Sequence, residues 1–148
     1  MEKGIKDFIL DILKSHNILT LATLREDGYP QANTVTYASD DLTIYFATDA
    51  KSQKVKNLKN SNNKVSLTVD REYRDWNKIK GLSMAATAEV LTGPGDIQKA
   101  MGCLVEKFPP LKEMPEPEEP MAVVKLTPRI ISVLNYEMGF GHNELIEV

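Results

Sequence analysis

Three short runs of strand-forming residues, separated by polar turns between positions 18 and 47, limit the fold of this chain more than any other feature. Ile18 to Leu24 is rich in Ile, Leu and Thr, and its brevity suits a buried strand better than a helix. Asp27-Gly28 supplies the positive φ of a tight turn, and Pro30 restricts re-entry into the next run, Gln31 to Tyr37. Ser39-Asp40-Asp41 makes a second polar turn. After it Leu42, Ile44 and Phe46 alternate with Thr43, Tyr45 and Ala47 at the period of two of a half-buried strand. Tight turns join antiparallel neighbours, so these runs predict a three-stranded meander.

The remaining pattern adds strands and a few helices. Ile5, Phe8, Ile9, Ile12 and Leu13 form one helical stripe that Ser15-His16-Asn17 ends, and Ile97, Ala100, Met101, Leu104, Val105 and Phe108 form another. Asp49 to Asn63 reads as a short helix stopped by Asn60-Ser61-Asn62-Asn63. Lys64 to Asp70 alternates as a fourth strand, and Leu82 to Leu91 is a fifth whose small residues Ala85, Ala86 and Ala88 permit close approach. Pro109 to Pro120 holds five prolines and four glutamates in 12 residues, which predicts an extended acidic loop. Met121 to Leu126 and Ile130 to Tyr136 read as one last strand interrupted at Pro128, before a tail from Glu137. The expectation is a mainly β (α+β) chain, a six-stranded antiparallel small barrel with flanking helices, forming one domain over residues 1–148.

Charge and composition narrow the function. Eighteen basic and 21 acidic residues leave a net charge of −3, a field that repels nucleic-acid backbones and anionic membranes. The single cysteine, Cys103, allows no intrachain disulfide and suits a reducing compartment, so cytoplasmic residence is expected. The N-terminal stretch is amphipathic and no apolar run reaches membrane-spanning length, so neither secretion nor a membrane partner is expected.

Against that acidic whole, Lys51, Lys54, Lys56, Lys59 and Lys64 fall within 14 residues that contain no acid. The cluster begins at Thr48-Asp49-Ala50-Lys51-Ser52-Gln53-Lys54, where a strand gives way to a helix. At such a junction free N–H groups, a hydroxyl and ammonium groups can converge on a phosphate. The same residues also suit a plain helix cap with lysines facing water, and both readings stay open here.

The ordered set Ile18-Leu-Thr-Leu-Ala-Thr, Asp27-Gly-Tyr-Pro, Leu42-Thr-Ile-Tyr-Phe-Ala-Thr, Ser52-Gln-Lys, Val55-Lys-Asn-Leu and Lys64-Val-Ser-Leu resembles the pyridoxamine 5′-phosphate oxidase-like family of FMN-binding split barrels. The likeness continues through Gly81 to Glu89 and ends in Gly139-Phe-Gly-His, similar to small, general-stress-protein-like members. It implies a homodimeric split barrel with FMN at the subunit interface, acting as an oxidoreductase on a small substrate with a reduced donor, or as a flavin-binding sensor without turnover. Thr48 and Lys54 match family residues that bind the flavin phosphate, with Ser52 and Gln53 beside them and Lys51 as a further cation. Ala32 to Tyr37 matches the strand that runs beside the flavin, which implies contacts from Thr34, Val35 and Thr36. In that alignment Ala32 and Gln53 stand where pyridoxamine phosphate oxidases carry arginines, and Tyr37 where they carry a lysine. The Arg- and His-rich substrate segment of the pyridoxine-metabolising enzymes has no counterpart before Val148, so vitamin B6 oxidation is not expected. A deazaflavin is a less favoured cofactor, and no catalytic residue is singled out.

Trp76 and Phe140 suit either a cover for a flat cofactor ring or local packing. His142, after Gly139-Phe140-Gly141, suits a ligand contact, a proton donor, a haem ligand or an ordinary surface histidine. Cys103 sits on the second helical stripe and reads as packing. Two histidines and one cysteine make no zinc site of the usual His/Cys kind, and no HExxH, GxSxG or P-loop pattern occurs.

Overall fold

A computed structural model describes residues 1–60 and 63–148. The chain runs α1 (Lys3–Ser15), β1 (Ile18–Leu24), β2 (Pro30–Thr36), β3 (Ala38–Asp40), β4 (Thr43–Asp49), α2 (Gln53–Asn60), β5 (Lys64–Val69), β6 (Lys80–Val90), α3 (Pro94–Lys107), β7 (Met121–Asn135) and β8 (Asn143–Glu147). One antiparallel sheet has the order β2-β1-β5-β6-β7-β4-β3, with β8 also paired to β7. Among the described residues eight strands thus replace the six expected: Ala38–Asp40 pairs with β4, and the tail folds back on Ile130–Leu134.

The predicted meander is corrected in one respect. β1 and β2 form the hairpin, with Gly28 at φ 89 in its turn, but β4 pairs with β7 from Ile44↔Leu126 to Asp49↔Met121, not with β2. Only Tyr37 separates β2 from β3 in sequence, yet these strands lie at opposite ends of the sheet order. The sheet must therefore curl until its ends meet, and β2 does contact β4. β3 covers β4 only as far as Tyr45, so the second half of β4 faces β2 across an unladdered seam. That seam is what makes the barrel split.

Inside, Leu19, Leu21, Val35, Phe46, Leu67 and Ile131 pack into one core, with Ile9, Ile12 and Leu13 of α1 closing over it. Burying each such side chain contributes about 1.5–3 kcal/mol. A smaller cluster of Tyr45, Leu91, Ala100 and Val123 seats α3 on the outer side of β4 and β7. Both faces of β4 are therefore covered, which holds its end firmly.

Three further boundaries differ from expectation. The helix expected over Asp49 to Asn63 begins at Gln53, because Asp49 to Ser52 form a turn. Of its expected stop, Ser61 and Asn62 lie outside the described residues. Pro109–Glu113 forms a short 3-10 helix within the acidic loop. Pro128 does not interrupt β7: Ala86 pairs with Pro128 and Ala85 with Ile130, so a bulge at Arg129 takes up the missing hydrogen bond.

Candidate functional site

The junction of β4 and α2 is built by its own backbone. The Asp49 carboxylate accepts the Lys51 N–H at 2.8 Å, and the Asp49 carbonyl accepts the Ser52 N–H at 3.0 Å. The Ser52 carbonyl then accepts from Lys56, opening α2. Thr48 shares its strand face with Ile44 and Phe46, so its hydroxyl lies on the barrel side at the mouth. Lys54 folds back one turn and donates from Nζ to Thr48 Oγ1 at 3.0 Å. Ser52 Oγ is buried without a hydrogen-bond partner among the described residues. A half-buried ammonium and a hydroxyl thus meet beside the start of α2, whose first-turn N–H groups have no intrahelical acceptor, and Ser52, the residue just before that helix, carries an unanswered hydroxyl.

Of the residues singled out in the sequence, Thr48 and Lys54 are joined by a hydrogen bond with Ser52 just before α2, while Lys51 and Gln53 turn elsewhere. Lys51 Nζ lies 3.1 Å from Glu119 Oε2 of the acidic loop. Gln53 Nε2 donates to Asn57 Oδ1 at 2.8 Å, and Asn57 Nδ2 in turn reaches Thr23 Oγ1 at 2.9 Å and Gln31 Oε1 at 3.1 Å. This network ties α2 to the β1–β2 hairpin. Asn57 is only 2% exposed. The sequence reading passed over it; its signal was the polar residues Thr23, Gln31 and Asn33 at core-facing positions of their strands.

On β2, Thr34 and Thr36 lie exposed on the outer face while Val35 is buried in the core. Ala32 pairs with Ala22 on that outer face, so the residue facing the seam is its neighbour Asn33, whose Oδ1 is also buried and accepts no hydrogen bond among the described residues. β2 ends the strand order, and one edge of its backbone carries no ladder among the described residues.

Trp76 and Phe140 do not approach this corner in the same chain. Trp76 begins a short 3-10 helix after β5 and Phe140 follows one after β7; these two helices touch each other, and both aromatic side chains are exposed. Phe140 rests edge-on against Tyr136 with ring centroids 4.8 Å apart. Ala122, beside Thr48, and Asn135 are separated by 13 steps of β7, about 40 Å of strand contour. His142 Nε2 is buried and without a hydrogen bond, 3.7 Å from Glu144 Oε2, too long for one. Burial pushes the Cys103 thiol up, which suits packing rather than nucleophilic attack.

Comparison with known proteins places this geometry. The family model described as pyridoxamine 5′-phosphate oxidase matches residues 5–134. The chain belongs to that family. General stress protein 26 of Bacillus subtilis is 34% identical over 62 residues, 42% of this chain and 44% of that protein. A haem-binding protein from Mycobacterium smegmatis superposes with a TM-score of 0.80 at 19% identity, over 99% of this chain and 59% of its own. A Clostridium acetobutylicum protein related to general stress protein 26 superposes at 0.74 and 19% identity, over 100% of this chain and 97% of its own. At such identities the structural matches establish the split-barrel fold. The chain covers 44% of general stress protein 26 and 59% of the haem-binding protein, less than two thirds of either. No helix among the described residues is long and apolar enough to cross a membrane.

Proposed function

We propose that this family member binds FMN through its 5′-phosphate at the β4–α2 corner and is a flavin-dependent oxidoreductase for a small substrate. The observation that carries the reading is Lys54 held on Thr48, with Ser52 two residues earlier carrying a buried hydroxyl that has no partner among the described residues. Lys54 offers its remaining ammonium protons and Ser52 its hydroxyl to phosphate oxygens, and the helix dipole adds to both. The residues present fit a phosphate monoester. Bound flavin would supply hydride or electron transfer, and the chain supplies anchoring, orientation and exclusion of water. The unladdered edge of β2, with Thr34 and Thr36, would position the ring.

The reading includes a homodimer. The outer face of β2-β1-β5-β6 carries small and hydroxyl side chains such as Thr20, Ala22, Thr34, Ser66 and Ala85, and a shallow depression of about 300 Å³ there is lined partly by Ala22, Ser66 and Ala85. Trp76 and Phe140, remote from the corner in their own chain, would then cover the ring bound by a partner subunit. Cytoplasmic residence goes with this reading, the one thiol needing no oxidising compartment.

Denaturing the purified protein and weighing the released chromophore tests the proposal. Riboflavin 5′-phosphate supports it; no chromophore, together with no flavin uptake on titration, ends it. Bleaching of bound flavin by a nicotinamide donor and reoxidation by an acceptor separates an enzyme from a sensing module. A second reading, haem ligation through His142, is favoured by its Nε2, which makes no hydrogen bond among the described residues, and predicts a Soret band abolished by His142→Ala.

A further inference from the structure

Resting on the flavin reading, we infer that Asn57 is a positioning residue that sets the span between the phosphate corner and the edge of β2. Asn57 lies one turn beyond Lys54 on α2 and is buried there beside Val55. Its oxygen accepts from Gln53 Nε2 at 2.8 Å, and its nitrogen donates to Thr23 Oγ1 at 2.9 Å and to Gln31 Oε1 at 3.1 Å. Thr23 of β1 and Gln31 of β2 stand opposite each other in the ladder. One amide therefore clamps both strands of the hairpin at a single cross-strand pair.

These bonds supply what the sheet does not. α2 continues from β4, and β4 and β2 share no ladder. Leu58 packs against the core and holds α2 down, but apolar contact carries no direction and leaves the helix free to turn. Hydrogen bonds are directional, so the Asn57 amide fixes that rotation. Lys54 stands three residues before Asn57, and Thr34 three residues after Gln31. The Asn57–Gln31 bond is thus a short mechanical link between the corner and the strand edge assigned to the ring. A ligand gripped at two ends gains over one gripped at a single end only while their spacing is preset. On the flavin reading FMN is gripped at both ends, riboflavin by its ring alone and inorganic phosphate at the corner alone. Asn57 acts on the difference between them.

The test replaces the clamp with apolar groups of similar shape in the triple variant T23V/Q31M/N57L. Removing the partners together leaves no buried hairpin group unanswered, so stability in chemical denaturation is expected to hold. Native chain and variant are titrated with FMN and riboflavin by flavin fluorescence, and with inorganic phosphate by phosphorus NMR. FMN is expected to weaken about tenfold while riboflavin and inorganic phosphate bind as before. A residue that only supported the fold would leave all three unchanged in a variant as stable as the native chain. FMN binding at native strength, or riboflavin or phosphate weakened by the same factor as FMN, therefore overturns the assignment and leaves the flavin reading standing. If the triple variant loses stability, Gln53→Met carries the test, because Gln53 is half-buried and its replacement removes a single donor to the Asn57 amide. FMN weakened about threefold with riboflavin and phosphate unmoved is then expected, and FMN unchanged overturns the assignment. A native chain that binds no flavin overturns both.

Discussion

Two lysines are drawn in half-buried against a neighbouring element, and they differ in how fully they are answered. Lys107, at the end of α3, donates to the carbonyls of Leu13 and His16 and sits 4.0 Å from the Tyr37 ring centroid. Tyr37 itself donates to the Leu13 carbonyl at 2.8 Å, so the C-terminus of α1 is capped from two sides. Lys54 meets a single side-chain oxygen, Thr48 Oγ1, among the described residues, and the buried hydroxyl of Ser52, two residues earlier, meets none of them. A junction whose polar groups are satisfied serves the fold. One that leaves a buried group unanswered stands ready for a ligand.

The contrast breaks if the two lysines behave alike. Lys54→Ala should weaken FMN binding by about 1.5–3 kcal/mol in a fluorescence titration, with the melting temperature almost unmoved. Lys107→Met should do the reverse, leaving flavin affinity intact while chemical denaturation shows a loss of about 1–3 kcal/mol, because the His16 carbonyl loses its ammonium donor and that of Leu13 keeps only Tyr37. Ser52→Ala sharpens the comparison further. It should weaken FMN by about 1 kcal/mol yet leave the ligand-free protein as stable as before, because the hydroxyl has no partner to lose.

The smallest effect lies at the satisfied end. Burial, with the positive charge of Arg71 adding to it, holds His16 below its ordinary 6.5. The unfolded chain then binds a proton that the folded one refuses, so stability falls as pH drops from 6.5 toward the folded value. Melting curves through that window should slope in the native protein and flatten in His16→Gln. A slope that survives the substitution assigns it to another group.

Much of this was legible in the sequence, and what was not has a common cause. The β4 run, its polar end at Asp49 and the lysines beyond it placed the corner, though α2 opens at Gln53 rather than Asp49, because period and helix-start chemistry are local. Strand partners are not local. β4 lies against β7, more than 70 residues away, and alternation along Thr43–Asp49 is the same whichever strand lies beside it. Pro128 suggested a break because the bulge that accommodates it exists only once β6 is alongside. Asn57 looked like one more exposed polar residue of a lysine-rich helix until Thr23 and Gln31 were brought against it. The divergence of Lys51 and Gln53 from the corner depended likewise on a loop and a hairpin distant in sequence.

The length of β7 has a bearing on how the molecule opens. β6 accompanies it along nearly its whole course, while its other edge is shared between β4 at one end and β8 at the other. Amide protons of Val123 to Leu126 are hemmed in on both sides, so their exchange with heavy water should require rupture of the entire sheet. Those of β8, tied by one ladder, should exchange through fraying alone. The corner beside Thr48 thus borrows its rigidity from the slowest-exchanging part of the chain, whereas the turn carrying Phe140 and His142 hangs from the fastest and can rearrange without disturbing it.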